Sequence, residues 1–251
     1  MKALKEKSLN EIRNEWDNIS HLRHTQITSG IDLSYKYVIL PCVKELCENS
    51  DYSSIVDVGC GTGILEAELS SRSRRVVGID LSSKSIEIAR SYCERLDNVI
   101  FENTTAENYA AEMTSPVFTL AIANMTLMTC VDLPGILGAI EKLLIPGGTF
   151  VATLAHPCFW PKYWGYDEAE WFDYRKQIIV EARFKISKQA TDCITTHVHR
   201  PLAMYLNGLA NCGFVIQRFI EPMPDKKVER KYPQKWECPR FVGIRCRKTA
   251  G

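Results

Sequence analysis

Seven consecutive residues, Asp57-Val58-Gly59-Cys60-Gly61-Thr62-Gly63, carry the sharpest chemical signal in the chain. Glycine has no Cβ, so alternate glycines let the chain bend sharply and let a ligand approach the backbone. Such a bend at the carboxyl end of a strand is where open α/β sheets bind their ligands. The spacing is GxGxG, and Ile64 stands where a GxGxxG dinucleotide binder has its last glycine. That departure argues against a nicotinamide cofactor. Asp80 lies 17 residues beyond Gly63, at the end of the next apolar run. A carboxylate there can accept both hydroxyls of a ribose.

A second set of residues lies further on. His156 follows an apolar run directly, in Ala155-His156-Pro157-Cys158-Phe159. An imidazole titrates near neutrality and suits a general base, which makes His156 the candidate catalytic residue. It could equally orient a loop by hydrogen bonding. Residues 159–174 hold Phe159, Trp160, Tyr163, Trp164, Tyr166, Trp171, Phe172 and Tyr174, against 10% aromatic overall. That density reads as a lid that covers an acceptor and excludes water, or as a loop packed on the sheet edge. Trp16, Tyr35 and Tyr37 can close the opposite wall or pack in the core. Phe159, Trp160, Trp164, Trp16, Tyr37 and His199 are therefore candidate acceptor contacts beside His156. His197, His199 and Cys193 are too few for a zinc site, and no metal is expected. Lys226, Lys227, Arg230, Lys231 and Lys235 read as a solvated loop, or as a docking patch for an anion.

These side chains need a scaffold at fixed positions. From residue 50 to 155, short apolar runs alternate with helix-period segments, the pattern of βαβ units and a parallel sheet. Ser54–Val58, Arg75–Asp80, Asn98–Phe101, Val117–Ala123 and Thr149–Leu154 read as strands. Ser82 and Asp132 read as helix caps, with Pro134 in the first turn after the latter. Pro146-Gly147-Gly148 closes that helix. Residues 155–196 read as irregular. Pro201 starts a helix closed by Gly213, and Phe214–Ile220 and Phe241–Cys246 read as two strands with no helix between them, so one is antiparallel. The first 50 residues are helical in pattern.

Composition bounds the function class. The chain has 251 residues, 45% hydrophobic and 24% charged, with 31 basic and 30 acidic side chains. This is an ordinary globular composition, large enough for one domain with a lid. The balanced charge argues against nucleic acid as the main partner. No apolar run reaches the ~20 residues of a membrane span, and Met1–Asn10 has no apolar core. Ten cysteines, none spaced as CxxC, read mostly as buried, reduced thiols, and the location expected is cytoplasmic. Monomer and homodimer both remain open.

On DVGCGTG and on VVGIDLS, Val76 to Ser82, the chain resembles class I S-adenosylmethionine-dependent methyltransferases of the small-molecule type. The resemblance covers about residues 51–155, and the C-terminal hairpin by order. It implies a Rossmann-like α/β fold, a seven-stranded, mostly parallel sheet with an antiparallel last strand and helices on both faces. N-terminal helices and an aromatic-rich lid would be added to that core. It implies S-adenosyl-L-methionine as cofactor and S-adenosyl-L-homocysteine as product. Asp57, Gly59, Gly61 and Gly63 would form the cofactor loop, with Asp80 on the ribose and Leu81 beside the adenine. Thr105, Ala106 and Glu107 would form the adenine loop, Thr105 standing where the family often has Asp. Asn124 would sit near the methionine moiety. The chain reads Asn124-Met125-Thr126-Leu127, without the Asn-Pro-Pro-Tyr of adenine-N6 methyltransferases.

The expected organisation is a single domain over 1–251. It divides into a helical cap at 1–50, a cofactor core at 51–155, a lid at 156–196, and a C-terminal helix and hairpin at 197–251. The expected function is methyl transfer by in-line displacement to an O, N or C atom of a small-molecule acceptor, a metabolite or natural-product intermediate. RNA or protein methylation, and a non-catalytic cofactor-binding module, are the alternatives.

Overall fold

A computed structural model describes residues 1–249. The chain begins with β1 (Lys2–Leu4), α1 (Leu9–Thr28), a π-helical turn (Tyr35–Ile39) and α2 (Leu40–Leu46). Then come β2 (Ser54–Val58), α3 (Ile64–Ser70), β3 (Arg75–Asp80), α4 (Ser83–Tyr92), β4 (Val99–Asn103) and α5 (Ala106–Glu112). Next are β5 (Phe118–Asn124), α6 (Leu133–Leu143), β6 (Leu144–Ala155), α7 (Trp160–Trp164), β7 (Ile178–Ile186) and β8 (Gln189–His199). The chain closes with α8 (Leu202–Asn211), β9 (Phe214–Ile220), α9 (Lys226–Glu229) and β10 (Phe241–Lys248).

Seven strands form one sheet in the order β4-β3-β2-β5-β6-β10-β9. All neighbours from β4 to β6 are parallel, and β10 runs antiparallel to both β6 and β9. The strand order reverses between β2 and β5, and a ligand crevice forms at the carboxyl ends beside such a switch point. β5 shows why the centre reads as an unbroken apolar run. Phe118, Ala121 and Ala123 face one core with α6, while Leu120 and Ile122 face the other with α2 and α3. Burial on both faces leaves no position for a polar alternate, and each large side chain so buried contributes about 1.5–3 kcal/mol.

The helix starts follow local chemistry. The Ser82 hydroxyl accepts a bond from the Ser85 amide at 3.0 Å, and Asp132 accepts one from the Gly135 amide at 3.1 Å. Both offset a donor that the first helical turn cannot satisfy internally.

Three expectations change, the smallest being the four-residue helix α9 between β9 and β10, which were read as having none. The first 50 residues hold a strand as well as helices, because β1 pairs antiparallel with β7. The stretch read as irregular contains the hairpin β7–β8, which with β1 makes a second, three-stranded sheet. That hairpin is anchored by Arg200, 1% exposed. Its guanidinium donates to Gln177 Oε1 at 2.6 Å and to the carbonyls of Leu127, Cys130 and Val131. All ten cysteines are free, yet only five are buried. The five basic residues from Lys226 to Lys235 are all exposed. No described helix is long and apolar enough to cross a membrane.

Candidate active site

The glycine loop joins β2 to α3. Its three glycines have φ of +77°, +56° and +81° at Gly59, Gly61 and Gly63. A Cβ on Gly59 would come within 2.3 Å of Thr126 Oγ1, so the loop seats directly against the β5–α6 connection. A Cβ on Gly61 would meet nothing within 4 Å, because that residue faces open space. Gly63 does not reach the cavity. It lets the start of α3 approach Ala89 of α4 and Phe101 of β4, each 3.0 Å from a built Cβ.

Asp80, at the tip of β3, holds this loop. Its Oδ2 accepts from the Gly61 amide at 2.9 Å and its Oδ1 from the Ser82 amide at 2.8 Å. Each oxygen keeps a lone pair for a ligand hydroxyl. Burial pushes this carboxyl upward, and the two amide bonds oppose that. The Asn103 amide donates to the carbonyls of Asp80 and Leu81, both at 3.0 Å, which fixes the acid's backbone.

Behind the loop lies a pair of buried carboxyls. Asp57 is 1% exposed and Glu66 is 0% exposed. Burial drives Asp57 up to about 7 and Glu66 well above the ordinary range. Asp57 Oδ1 and both Glu66 oxygens lack a cationic or neutral donor. Two carboxylates cannot both stay charged in such a site, so the pair holds a shared proton.

A single cavity of about 340 Å³ runs outward from the loop. Asp57, Gly59, Gly61, Asp80, Leu81, Thr105, Ala106, Glu107 and Asn124 line one end. Thr105 caps α5 by accepting from the Asn108 amide at 3.1 Å. Asn124 Oδ1 accepts from Thr153 Oγ1 at 2.6 Å, which leaves the Asn124 NH₂ free to face a ligand. Met125 follows at φ +59°, an uncommon conformation for a residue with a side chain. Its amide donates to the Thr153 carbonyl at 2.9 Å, which holds the bend.

The other end is aromatic. Trp16, Tyr35, Trp160, Tyr163, Trp164, Phe184 and His197 line it. Trp16 meets Phe184 edge-on at 6.5 Å, joining α1 to the hairpin. The helix α1 also grips the cofactor-side loops. Asp17 Oδ1 accepts from Ser82 Oγ at 2.7 Å and from the Lys84 amide at 3.0 Å. His24 Nδ1 lies 3.0 Å from Thr62 Oγ1.

Five sequence candidates fall outside this cavity, Gly63 and four more. His156 is 1% exposed and both ring nitrogens are bonded. Its Nδ1 accepts from the Cys158 amide at 3.1 Å, so Nε2 carries the proton and donates to Glu221 at 2.6 Å. The His156 amide continues the strand ladder to the Arg240 carbonyl, turning the side chain toward the loop after β9. It orients a loop, and the general-base reading fails on geometry. Phe159 packs tilted against His156, ring centres 4.4 Å apart, and is exposed. His199 bonds the Tyr174 carbonyl at 3.1 Å through Nε2. Tyr37 points outward under Lys231, whose ammonium lies 4.7 Å from the ring centre. The π-helical turn sends Tyr35 inward instead. Tyr35, Tyr163, Phe184 and His197 line the cavity although the candidate set omitted them. An alternating pattern through Thr196-His197-Val198 would have been the signal for His197, since it marks a strand.

Comparison with known proteins fits this architecture. A family profile described as "Methyltransferase domain" matches residues 49–198. The chain belongs to the methyltransferase domain family. Among curated relatives of this chain, ubiquinone biosynthesis O-methyltransferase of Thiobacillus denitrificans is 35% identical over 102 residues, 40% of this chain and 44% of that one. Trans-aconitate 2-methyltransferase of Deinococcus radiodurans is 28% identical over 106 residues, 42% of this chain and 39% of that one. The chain thus spans about half the length of the curated relatives it matches. An S-adenosylmethionine dependent methyltransferase from Mesorhizobium loti superposes with a TM-score of 0.62 at 21% identity, covering 83% of this chain and 96% of that one. The 1,6-didemethyltoxoflavin-N1-methyltransferase of Burkholderia thailandensis, solved with its acceptor and S-adenosylhomocysteine, gives 0.65 at 15% identity, covering 98% and 93%. These two likenesses establish a shared Rossmann-like methyltransferase fold.

Proposed function

We propose that the protein transfers a methyl group from S-adenosylmethionine to a small, flat acceptor, leaving S-adenosylhomocysteine. The observation that carries this reading is one continuous cavity with a glycine-and-carboxylate end and an aromatic end. The residues present suit the cofactor. Gly61 faces open space, and Asp80 keeps lone pairs for two ribose hydroxyls. When bound, S-adenosylmethionine supplies a methyl group on a positively charged sulfur, an electrophile with a good leaving group.

The chain's own residues do the rest. Asp80 accepts the ribose hydroxyls, and Leu81 packs beside the adenine. Thr105 spends its hydroxyl on capping α5, so the Ala106 backbone and Glu107 are left to meet the base. Asn124, its oxygen bonded to Thr153, offers its NH₂ to the carboxylate of the methionine part. Trp160, Trp164 and Phe184 exclude water and align a flat acceptor. Alignment of the attacking atom at ~3–3.5 Å from the methyl carbon is the main catalytic demand.

Calorimetry with S-adenosylhomocysteine tests the reading. Wild type is expected to bind it, and Asp80→Ala to lose about 1–3 kcal/mol through missing charge-assisted bonds. Absence of binding, or an unchanged affinity in the variant, would sink it.

A further inference from the structure

Two acids close the glycine end of the cavity, and no base answers them. Asp57 lines the cavity together with Gly59 and Asn124. Glu66 lies behind it on α3, within hydrogen-bond reach of Asp57. Asp57 Oδ1 and both Glu66 oxygens are buried without a donor. Among the described residues, neither carboxyl enters an ion pair. The titratable groups facing the pair are Asp80 from β3, Cys60 from the loop, Tyr35 from the π-helical turn, Cys47 from α2 and Cys93 from α4. All are acids. Arg23, which also lines the cavity, is paired with Asp32 at 2.9 Å. The side away from the cavity is closed. A Cβ built on Gly78 would lie 2.8 Å from the Phe101 ring and 2.9 Å from both Cys60 Sγ and Glu66 Oε1, so neither a water nor an ion fits there. The positive charge that a buried carboxylate needs can therefore come only from a ligand in the cavity.

We propose that Asp57 and Glu66 sort cofactor from product by charge, releasing a proton when net-cationic S-adenosylmethionine binds and keeping it against net-neutral S-adenosylhomocysteine. This rests on the methyl-transfer reading of the cavity. It adds Glu66, which lies outside the cavity lining, as a positioning residue that sets the preference between the two forms.

Without a ligand, burial holds the Asp57 carboxyl up at about 7 and Glu66 well above its ordinary range. At mildly acidic pH both are protonated and the pair is neutral. A positive charge in the cavity favours the ionised form of Asp57. Its proton goes to water, while Glu66 keeps its own and donates it to the new carboxylate. The pair then carries one negative charge against the single net positive charge of the ligand. Methyl transfer takes the positive charge off sulfur. The Asp57 carboxylate is left buried without a cation, takes a proton back from water, and holds the neutral product less tightly.

Calorimetry near pH 6, repeated in two buffers of different ionisation enthalpy, counts the protons. At about that pH the ammonium groups of both ligands keep theirs, and Asp80 meets the same ribose in each, so the difference between the ligands reports the pair. Wild type is expected to release at least about half a proton with S-adenosylmethionine and less than about half of that with S-adenosylhomocysteine. Equal counts for the two ligands, or none for either, overturn the proposal. Asp57→Asn should release none with S-adenosylmethionine; a release that survives there overturns it too. Should that variant fail to fold or to bind, the wild-type affinities decide. Between about pH 5 and 7, S-adenosylmethionine binding should tighten by at least about threefold per pH unit and then level off, and S-adenosylhomocysteine binding should change by less than about twofold per unit. Parallel curves overturn the proposal. A wild type that binds neither ligand would instead refute the methyl-transfer reading itself.

Discussion

The two ends of the cavity are built differently. At the glycine end, the facing residues sit at the tips of neighbouring parallel strands, and backbone amides and bends do most of the work. Asp80, the Gly61 amide and the Ser82 amide lie within one bonded loop system. At the aromatic end, the walls come from α1, the π-helical turn, α7 and the β7–β8 hairpin, joined by side chains. A floor set by strand tips tolerates little change. A roof assembled from separate segments can change its ligand without disturbing the floor.

Three substitutions would break or sharpen that contrast. Gly59→Ala should do the most harm, because the new methyl would sit 2.3 Å from Thr126 Oγ1 on a backbone at φ +77°. A loss of about 2–4 kcal/mol is expected in urea unfolding; a variant within 1 kcal/mol of wild type, on the order of a surface change, would contradict the tight seat. Arg200→Met should cost about 2–3 kcal/mol by abandoning three bonds from the hairpin to the β5–α6 connection and one to Gln177 beside β7. Limited proteolysis should then cut within 178–199 first, while S-adenosylhomocysteine affinity stays within about twofold. Equal loss of cofactor binding would show the two ends to be one unit.

The smallest effect concerns pH. Asp57 rises from its ordinary 3.8 to about 7 on burial, and Glu66 rises too. The folded chain therefore keeps protons that the unfolded chain releases. Their contribution to stability is fully present below about pH 4 and is lost as pH climbs through 7. Glu66→Gln, which supplies a permanent donor to Asp57, should flatten this decline by about 1–2 kcal/mol. Urea midpoints measured from pH 4 to 8 with an unaltered slope would remove the shared proton.

The contrast also explains what could be read from residues alone. The β2 loop, Asp80, the cap at Ser82 and the antiparallel last strand depend on local pattern, and each lies where its spacing indicates. The hairpin was hidden because its turn is Ser187-Lys188, without the glycine or asparagine that usually marks a two-residue connection. With the hairpin hidden, nothing placed His197 on a strand beside the cavity. His156 misled for the opposite reason. Its position after a strand suggests the cavity, but Glu221, 65 residues away, draws the ring elsewhere. Tyr37 and Tyr35 differ by two residues, and only the π-helical turn decides which one points inward.

The grip of α1 has a mechanical corollary. Asp17 and His24 are seven residues apart on one helix, about 10 Å along its axis, and each is fastened to a different loop. A rod pinned at two points cannot swing about either. Lifting it means releasing Ser82, Lys84 and Thr62 together, so this wall behaves as a bolt, either shut or drawn, rather than as a flap.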